Sequence, residues 1–190
     1  LLWLANSVYS LVIASSVFPL YYQALFSSAG IEYISIFGGT IRSTPLITYT
    51  TAIAFIFISL LIPILSGIAD FVGNKKVFMK FFCYLGAFSC MGLYFFNLEN
   101  ILTSLLFYFL ALIGFWCSWI FYNSYLPDVA YPEQQDKLSA KGFSLGYIGS
   151  VLLLLFNLAM IMFPESFGLG DDGASKMKAM QISFISVGVW

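Results

Sequence analysis

The chain has 190 residues, of which 61% are hydrophobic and 9% charged, with a mean hydropathy of +0.92. A water-soluble domain of this size cannot hide so much apolar surface in one core, so lipid must be the solvent for most side chains. Eight Lys plus Arg against nine Asp plus Glu leave neither a basic surface for nucleic acid nor an acidic tail, and without any His or a CxxC pair Cys83, Cys90 and Cys117 read as buried small hydrophobes.

A bilayer core of roughly 30 Å takes about 20 helical residues, and a helix satisfies its backbone groups within one segment. Six apolar runs meet or approach that requirement, which predicts an all-α, polytopic transmembrane helix bundle. The first run covers about 3–26; its length, its lack of a basic start and Pro19 argue against a cleaved leader. The second opens at Ser43-Thr44-Pro45, a capping residue followed by a proline suited to a first turn, and reaches about Gly67, with Pro63 bending its last turns. The third covers about 77–96, the fourth 101–126 and the fifth 142–163. A sixth begins near Met177, and the roughly fourteen residues left to Trp190 would rise about 21 Å, so the chain reads as cut within that span.

The intervening breaks alternate between the two sides of the membrane. Segments 68–76 and 127–141 share one side, and 27–43, 97–100 and the Gly-rich 164–176 share the other. Lys75, Lys76, Lys80, Lys137 and Lys141 fall with the first group, against Arg42, Lys176 and Lys178 with the second, which makes the first side cytoplasmic by the positive-inside tendency. The whole is expected to be a multi-pass protein of a cytoplasmic or organelle membrane, with the lipid bilayer as its obligatory partner.

The polar residues that such spans tolerate are the candidates for function. Between the second and third spans, Ser66 to Lys76 holds Asp70, the turn glycine Gly73 and the basic pair Lys75-Lys76. A carboxylate at one helix end and lysines at the start of the next can form interfacial ion pairs that break or re-form as helices rock. The same spacing also suits a tight hairpin whose lysines only anchor topology. On the fifth span Gly142, Gly146, Ser150 and Asn157 lie within about 80° of one helical face, a packing seam where another backbone can approach closely. On the first span Asn6, Tyr9, Ser10, Ser16 and Gln23 form a polar stripe, and on the fourth Trp116, Trp119 and Asn123 cluster. Unpaired polar groups are costly in lipid, so these faces should turn to protein or to a water-filled cavity. Asn6, Tyr9, Trp116 and Asn123 are therefore the candidate contacts to a small polar solute; interhelical hydrogen bonding is the plainer alternative. No acidic or basic residue falls in the middle of a span, which favours a zwitterionic or neutral solute or a charged partner elsewhere in the protein.

Two segments carry a resemblance. Asp70, Gly73 and Lys75 match the Gly-x-x-x-Asp-Arg-x-Gly-Arg-Lys/Arg loop of the major facilitator superfamily, while Ser66, Phe71 and Asn74 depart from it. The stretch Phe121-Tyr122-Asn123-Ser124-Tyr125-Leu126-Pro127-Asp128-Val129-Ala130, then Pro132-Glu133, then Ser139-Ala140-Lys141-Gly142 to Tyr147-Ile148-Gly149, resembles the vacuole-effluxer-like permeases of that superfamily, as does Ala5-Asn6-Ser7-Val8-Tyr9. The resemblance implies that residues 1–190 are the amino-terminal six-helix half of a twelve-helix transporter working by alternating access, with a carboxy-terminal half of the same chain as partner. It also implies a gating set of Asp70, Gly73, Lys75, Lys76 and Asp128, and amino-acid efflux as the activity. No metal and no cofactor are expected. Two other classes compete: an integral membrane enzyme, for which the chain offers no His and no paired catalytic constellation, and a self-contained six-span scaffold or channel subunit, which would need a complete sixth helix.

Overall fold

The computed structural model describes residues 7–36, 38–170 and 172–190. Its long helices are α1 (Tyr9–Ala29), α2 (Ser43–Val72), α3 (Lys75–Gly92), α4 (Ile101–Ser124), α5 (Pro132–Met162) and α6 (Gly173–Val189). Among the described residues five helices, α1 to α5, are long and apolar enough to cross a membrane. The start of the first run, Asn6 included, lies outside the described residues.

Packing divides into two apolar clusters. The larger gathers α1, α4 and α6 around Phe18, whose ring stacks on Tyr108 at 4.3 Å and meets Phe96 edge-on at 5.4 Å. The smaller joins the far end of α2 to α3 and α4 through Ile58, Ala69, Met79, Phe82, Ile113, Cys117 and Phe121. Between α3 and α4 the backbones come closest where Gly86 faces Gly114: a Cβ on Gly114 would stand 2.4 Å from the Gly86 Cα. Only glycine fits such a crossing, the small-residue contact that lets membrane helices pack without a hydrophobic driving force.

Several boundaries differ from the sequence reading, for identifiable reasons. Helix α2 continues past Gly67 to Val72 and α5 starts at Pro132, ten residues before Gly142. At about 1.5 Å per residue these 30- and 31-residue helices are roughly 45 Å long, so each projects beyond a 30 Å hydrocarbon core. Apolarity marks where lipid begins, whereas the helix stops only where the backbone is broken, at Gly73 for α2, or starts where proline takes the first position, at Pro132 for α5. The break 68–76 shrinks to Gly73-Asn74, and 127–141 becomes the single helical turn Leu126–Val129 followed by the polar start of α5. Ser43 is not a cap: Arg42 occupies that position in extended conformation, and the Ser43 N–H donates to the Glu32 carbonyl at 2.8 Å. Helix α6 begins at Gly173, behind Asp172, which accepts the Ser175 N–H at 2.8 Å.

Two features were not expected at all. The segment 27–43 is not a plain loop but carries a hairpin, β1 (Tyr33–Ile36) and β2 (Gly39–Arg42), paired antiparallel with Tyr33 opposite Arg42 and Ile36 opposite Gly39. The first nine residues of α1, Tyr9–Val17, are wound as a π-helix, and the Ser15 and Ser16 hydroxyls donate five residues back to the Ser10 and Leu11 carbonyls at 2.8 and 2.9 Å. The wider π turn changes which residues share a face, so the stripe drawn at the α-helical angle does not carry over to this stretch.

Candidate functional site: an ion-pair cluster at one end of the bundle

The cluster is built by three helix ends. Helix α2 ends where Gly73 takes the left-handed conformation (φ 69°) and returns its N–H to the Ala69 carbonyl at 3.0 Å. That conformation strains any residue with a Cβ, and it lets α3 start two residues later. Beneath the turn Ala69 is buried, and the Phe121 ring at the end of α4 stacks on Phe78 and Phe82 at 5.6 and 6.0 Å. This apolar floor fixes the ends of α2, α3 and α4 together and brings the two sequence motifs side by side.

On that floor Lys75 Nζ lies 3.2 Å from Asp70 Oδ1 and 3.8 Å from Asp128 Oδ2. One ammonium thus serves two carboxylates from different helices. Asp70 stands near the negative end of the α2 dipole and Lys75 at the positive end of α3, each the less favourable sign for its place. Their mutual contact offsets both penalties while the ends stay close. The Lys75 side chain is 25% exposed, Asp70 65% and Asp128 49%, so water screens the pairs and the contact is worth about 0–1 kcal/mol. Such a contact can be broken without unfolding anything. Lys76 is exposed on the same turn, outside these two pairs.

Of the residues expected to bind a solute, Asn6 lies outside the described residues, and Tyr9, Trp116 and Asn123 do not line one cavity. Tyr9 is buried, its hydroxyl without a partner among the described residues and its ring 5.1 Å from Phe115, on the wall of a cavity of about 290 Å³ between α3, α4 and α6. Trp116 and Asn123 do not line that cavity. Trp116 turns to α2, its ring 5.5 Å from Phe55, and the Asn123 amide donates to the Trp119 carbonyl of its own helix at 2.9 Å. Ser10 and Ser16 donate their hydroxyls to the backbone carbonyls of Ser7 and Leu11.

Gly142, Gly146, Ser150 and Asn157 are all buried along α5, which packs against the π-helical part of α1 and against α6. Ser150 donates to the Gly146 carbonyl at 2.8 Å, and Asn157 Oδ1 accepts the Ser186 hydroxyl of α6 at 2.9 Å. The closer seam, Gly86 on Gly114, was missed although its signal is present as Gly86-x-x-x-Cys90 and Gly114-x-x-x-Ser118.

The profile of the family described as vacuole effluxer Atg22 like matches residues 1–190. The chain belongs to that family. It is similar to YxiO of Bacillus subtilis (strain 168), described as an uncharacterized MFS-type transporter, with 36% identity over 186 residues covering 98% of this chain and 41% of YxiO. The chain therefore spans less than half the length of that relative. No solved structure matches the chain. Family and helices together make it an integral, multi-pass membrane protein.

Proposed function

We propose that the chain is the amino-terminal half of a permease that moves a small solute by alternating access, and that Asp70, Lys75 and Asp128 form a contact made in one state and broken in another. The observation that carries this reading is the sharing of Lys75 between carboxylates of two helix ends. A weak, solvent-screened contact at the meeting point of three helices adds little to folding and much to the balance between two arrangements of those helices. Gly73 sets the turn on which the contact depends, and Lys76 adds charge beside it. For the solute, the spans' lack of central charges and the effluxer family favour an amino acid or another small molecule without net charge.

The test is transport by the full-length protein in proteoliposomes. Asp70→Asn keeps size and polarity but removes the charge; uptake should fall severalfold while insertion and expression stay as in the wild type. Unchanged uptake kinetics would reduce the cluster to a topology anchor.

A further inference from the structure

We propose that the start of α1 has two windings, and that rewinding Tyr9–Val17 from the π form to the α form carries the Tyr9 hydroxyl out of the core and onto the open face of the helix. The purpose of such a switch rests on the permease reading above, since it presents a hydrogen-bonding group to the solute path in one state and withdraws it in another. The rewinding itself is tested without transport.

The π form carries an unmet cost. Among the described residues the buried hydroxyl of Tyr9 has no partner, and Ser10 and Ser16 supply none, because both donate to carbonyls of the chain just before them. A buried polar group without a bond has lost its water and gained nothing in return. Nine consecutive residues in this winding are also unusual, since π turns occur mostly singly and often at functional places in a helix.

The sequence carries the other winding. At about 100° per residue Tyr9, Ser16 and Gln23, spaced by seven, fall within about 40° of one another. Gln23 is exposed and, with Pro19 and Ser27, lines a cavity of about 820 Å³ between the end of α1, the hairpin and the start of α2. An unbroken α-helix therefore sets Tyr9 on this open side. Each π turn takes about one residue more than an α turn, so two of them set Tyr9 nearly half a turn away, against Phe115.

Rewinding keeps the core filled. Leu11, two residues on and half-buried in the π form, turns into the direction that Tyr9 leaves, while the fully buried Val12 comes within about 20° of Gln23. Val17, six residues before Gln23 and about 120° from it, stays buried in both forms. Exposing Val12 loses apolar burial of about the size that freeing the Tyr9 hydroxyl recovers, so the two windings are close in free energy. The neighbouring wall allows the turn. Helix α5 packs against this part of α1, and its buried positions as far as Ser150 are Gly142, Gly146, Gly149 and Ser150. Such small residues raise no ridge for a rotating neighbour to catch on.

The test uses the full-length protein in nanodiscs, in a background lacking the native cysteines, with a small cationic methanethiosulfonate as probe. Ser15→Cys, exposed in the structure, marks the fast limit, and Val17→Cys, buried in either winding, the slow one. Val12→Cys should react at least about tenfold faster than Val17→Cys, because the α form exposes it for part of the time. Tyr9→Phe removes the group that the core leaves unsatisfied, and should slow Val12→Cys by about tenfold while leaving Ser15→Cys unchanged. Leu11→Cys reads the opposite movement from a different position. Val12→Ser favours the α form and should slow Leu11→Cys several-fold, whereas a general loosening of the helix would speed it. Val12→Cys as slow as Val17→Cys, no effect of Tyr9→Phe, or faster labelling of Leu11→Cys beside Val12→Ser would each overturn the rewinding. Labelling as expected in a protein that transports no small solute would remove the permease reading and leave the switch standing. Failed labelling with normal transport would remove only the switch.

Discussion

Asn157 and Asn123 have the same amide in opposite situations. Asn157 is fully buried between helices, with Oδ1 bonded to Ser186 and Nδ2 without a partner among the described residues, whereas Asn123 is half-buried and bonded to its own helix. Asn157→Leu breaks an interhelical bond but also removes an unsatisfied donor, so its cost should be small, below about 1 kcal/mol. If Asn123 contacts a solute, Asn123→Leu should weaken transport affinity and leave melting unchanged; normal affinity with early melting would make it a packing residue. Gly114 gives a sharper result. Gly114→Ala drives a methyl into the Gly86 backbone at 2.4 Å, while Gly86→Ala meets backbone atoms at 3.3 Å. Overpacking typically costs about 1–3 kcal/mol, so Gly114→Ala should lower the melting temperature clearly and more than Gly86→Ala. Equal melting would mean that α3 and α4 separate freely at that crossing. The sequence announced this seam only as small residues four apart, a pattern shared with α5, and nothing in it says which of two such faces meets another glycine.

At the scale of elements, hydropathy reads the membrane and not the helix. It located the apolar centres of α2 to α5 and misplaced the ends of α2 and α5, because their outer turns, such as Pro132 to Lys141, are helical in water or headgroups and carry polar residues freely. The hairpin was legible in principle: Gly38-Gly39 is flanked by Ile34 and Ile36 on one side and Ile41 on the other, an alternation around a glycine turn. Treating 27–43 as one loop concealed it. The π winding of Tyr9–Val17 has no comparable signal, since its serines serve an α-helix as readily. The topology can be checked directly, in a background lacking Cys83, Cys90 and Cys117. Cysteines at Asn74, in the α2–α3 turn, and at Ser35, in the hairpin, should label from opposite sides of the membrane; labelling from one side would break the alternation of spans. The cap of α6 has its own pH dependence. Two donations from Ser175, hydroxyl and N–H, hold the Asp172 carboxyl below its ordinary value of 3.8. The folded value lies below the unfolded one, so the cap's contribution is present above about pH 4 and is lost as the pH falls through the folded value. Asp172→Ala should therefore melt earlier than the wild type at pH 7, and the gap should narrow as the pH is taken below about 4 and through the folded value. A gap of the same size at pH 7 and at the lowest pH where the protein stays folded would show that the carboxylate charge is not what caps α6.

For the whole molecule, the question is where a contact of small energy can have a large effect. Lys75, Asp70 and Asp128 are exposed enough that their pairs should add little to unfolding free energy, about 0–1 kcal/mol, yet they tie together the ends of three helices. A two-state transporter turns on differences of that size, because about 1.4 kcal/mol changes the ratio of its states tenfold. The expected signature is a separation of the two measurements. In the full-length protein Asp70→Asn, Asp128→Asn and Lys75→Gln should each leave the melting temperature near that of the wild type and each reduce the transport rate. Because both carboxylates act through one ammonium, their losses should not add: once Lys75 is Gln, removing either carboxylate should change transport no further. Measuring rate and melting for the three single variants and the Lys75→Gln combinations decides the matter. Full additivity of the transport losses would show that the carboxylates act independently, and rate losses that track the loss of melting temperature would show that the cluster supports the fold and not the switch.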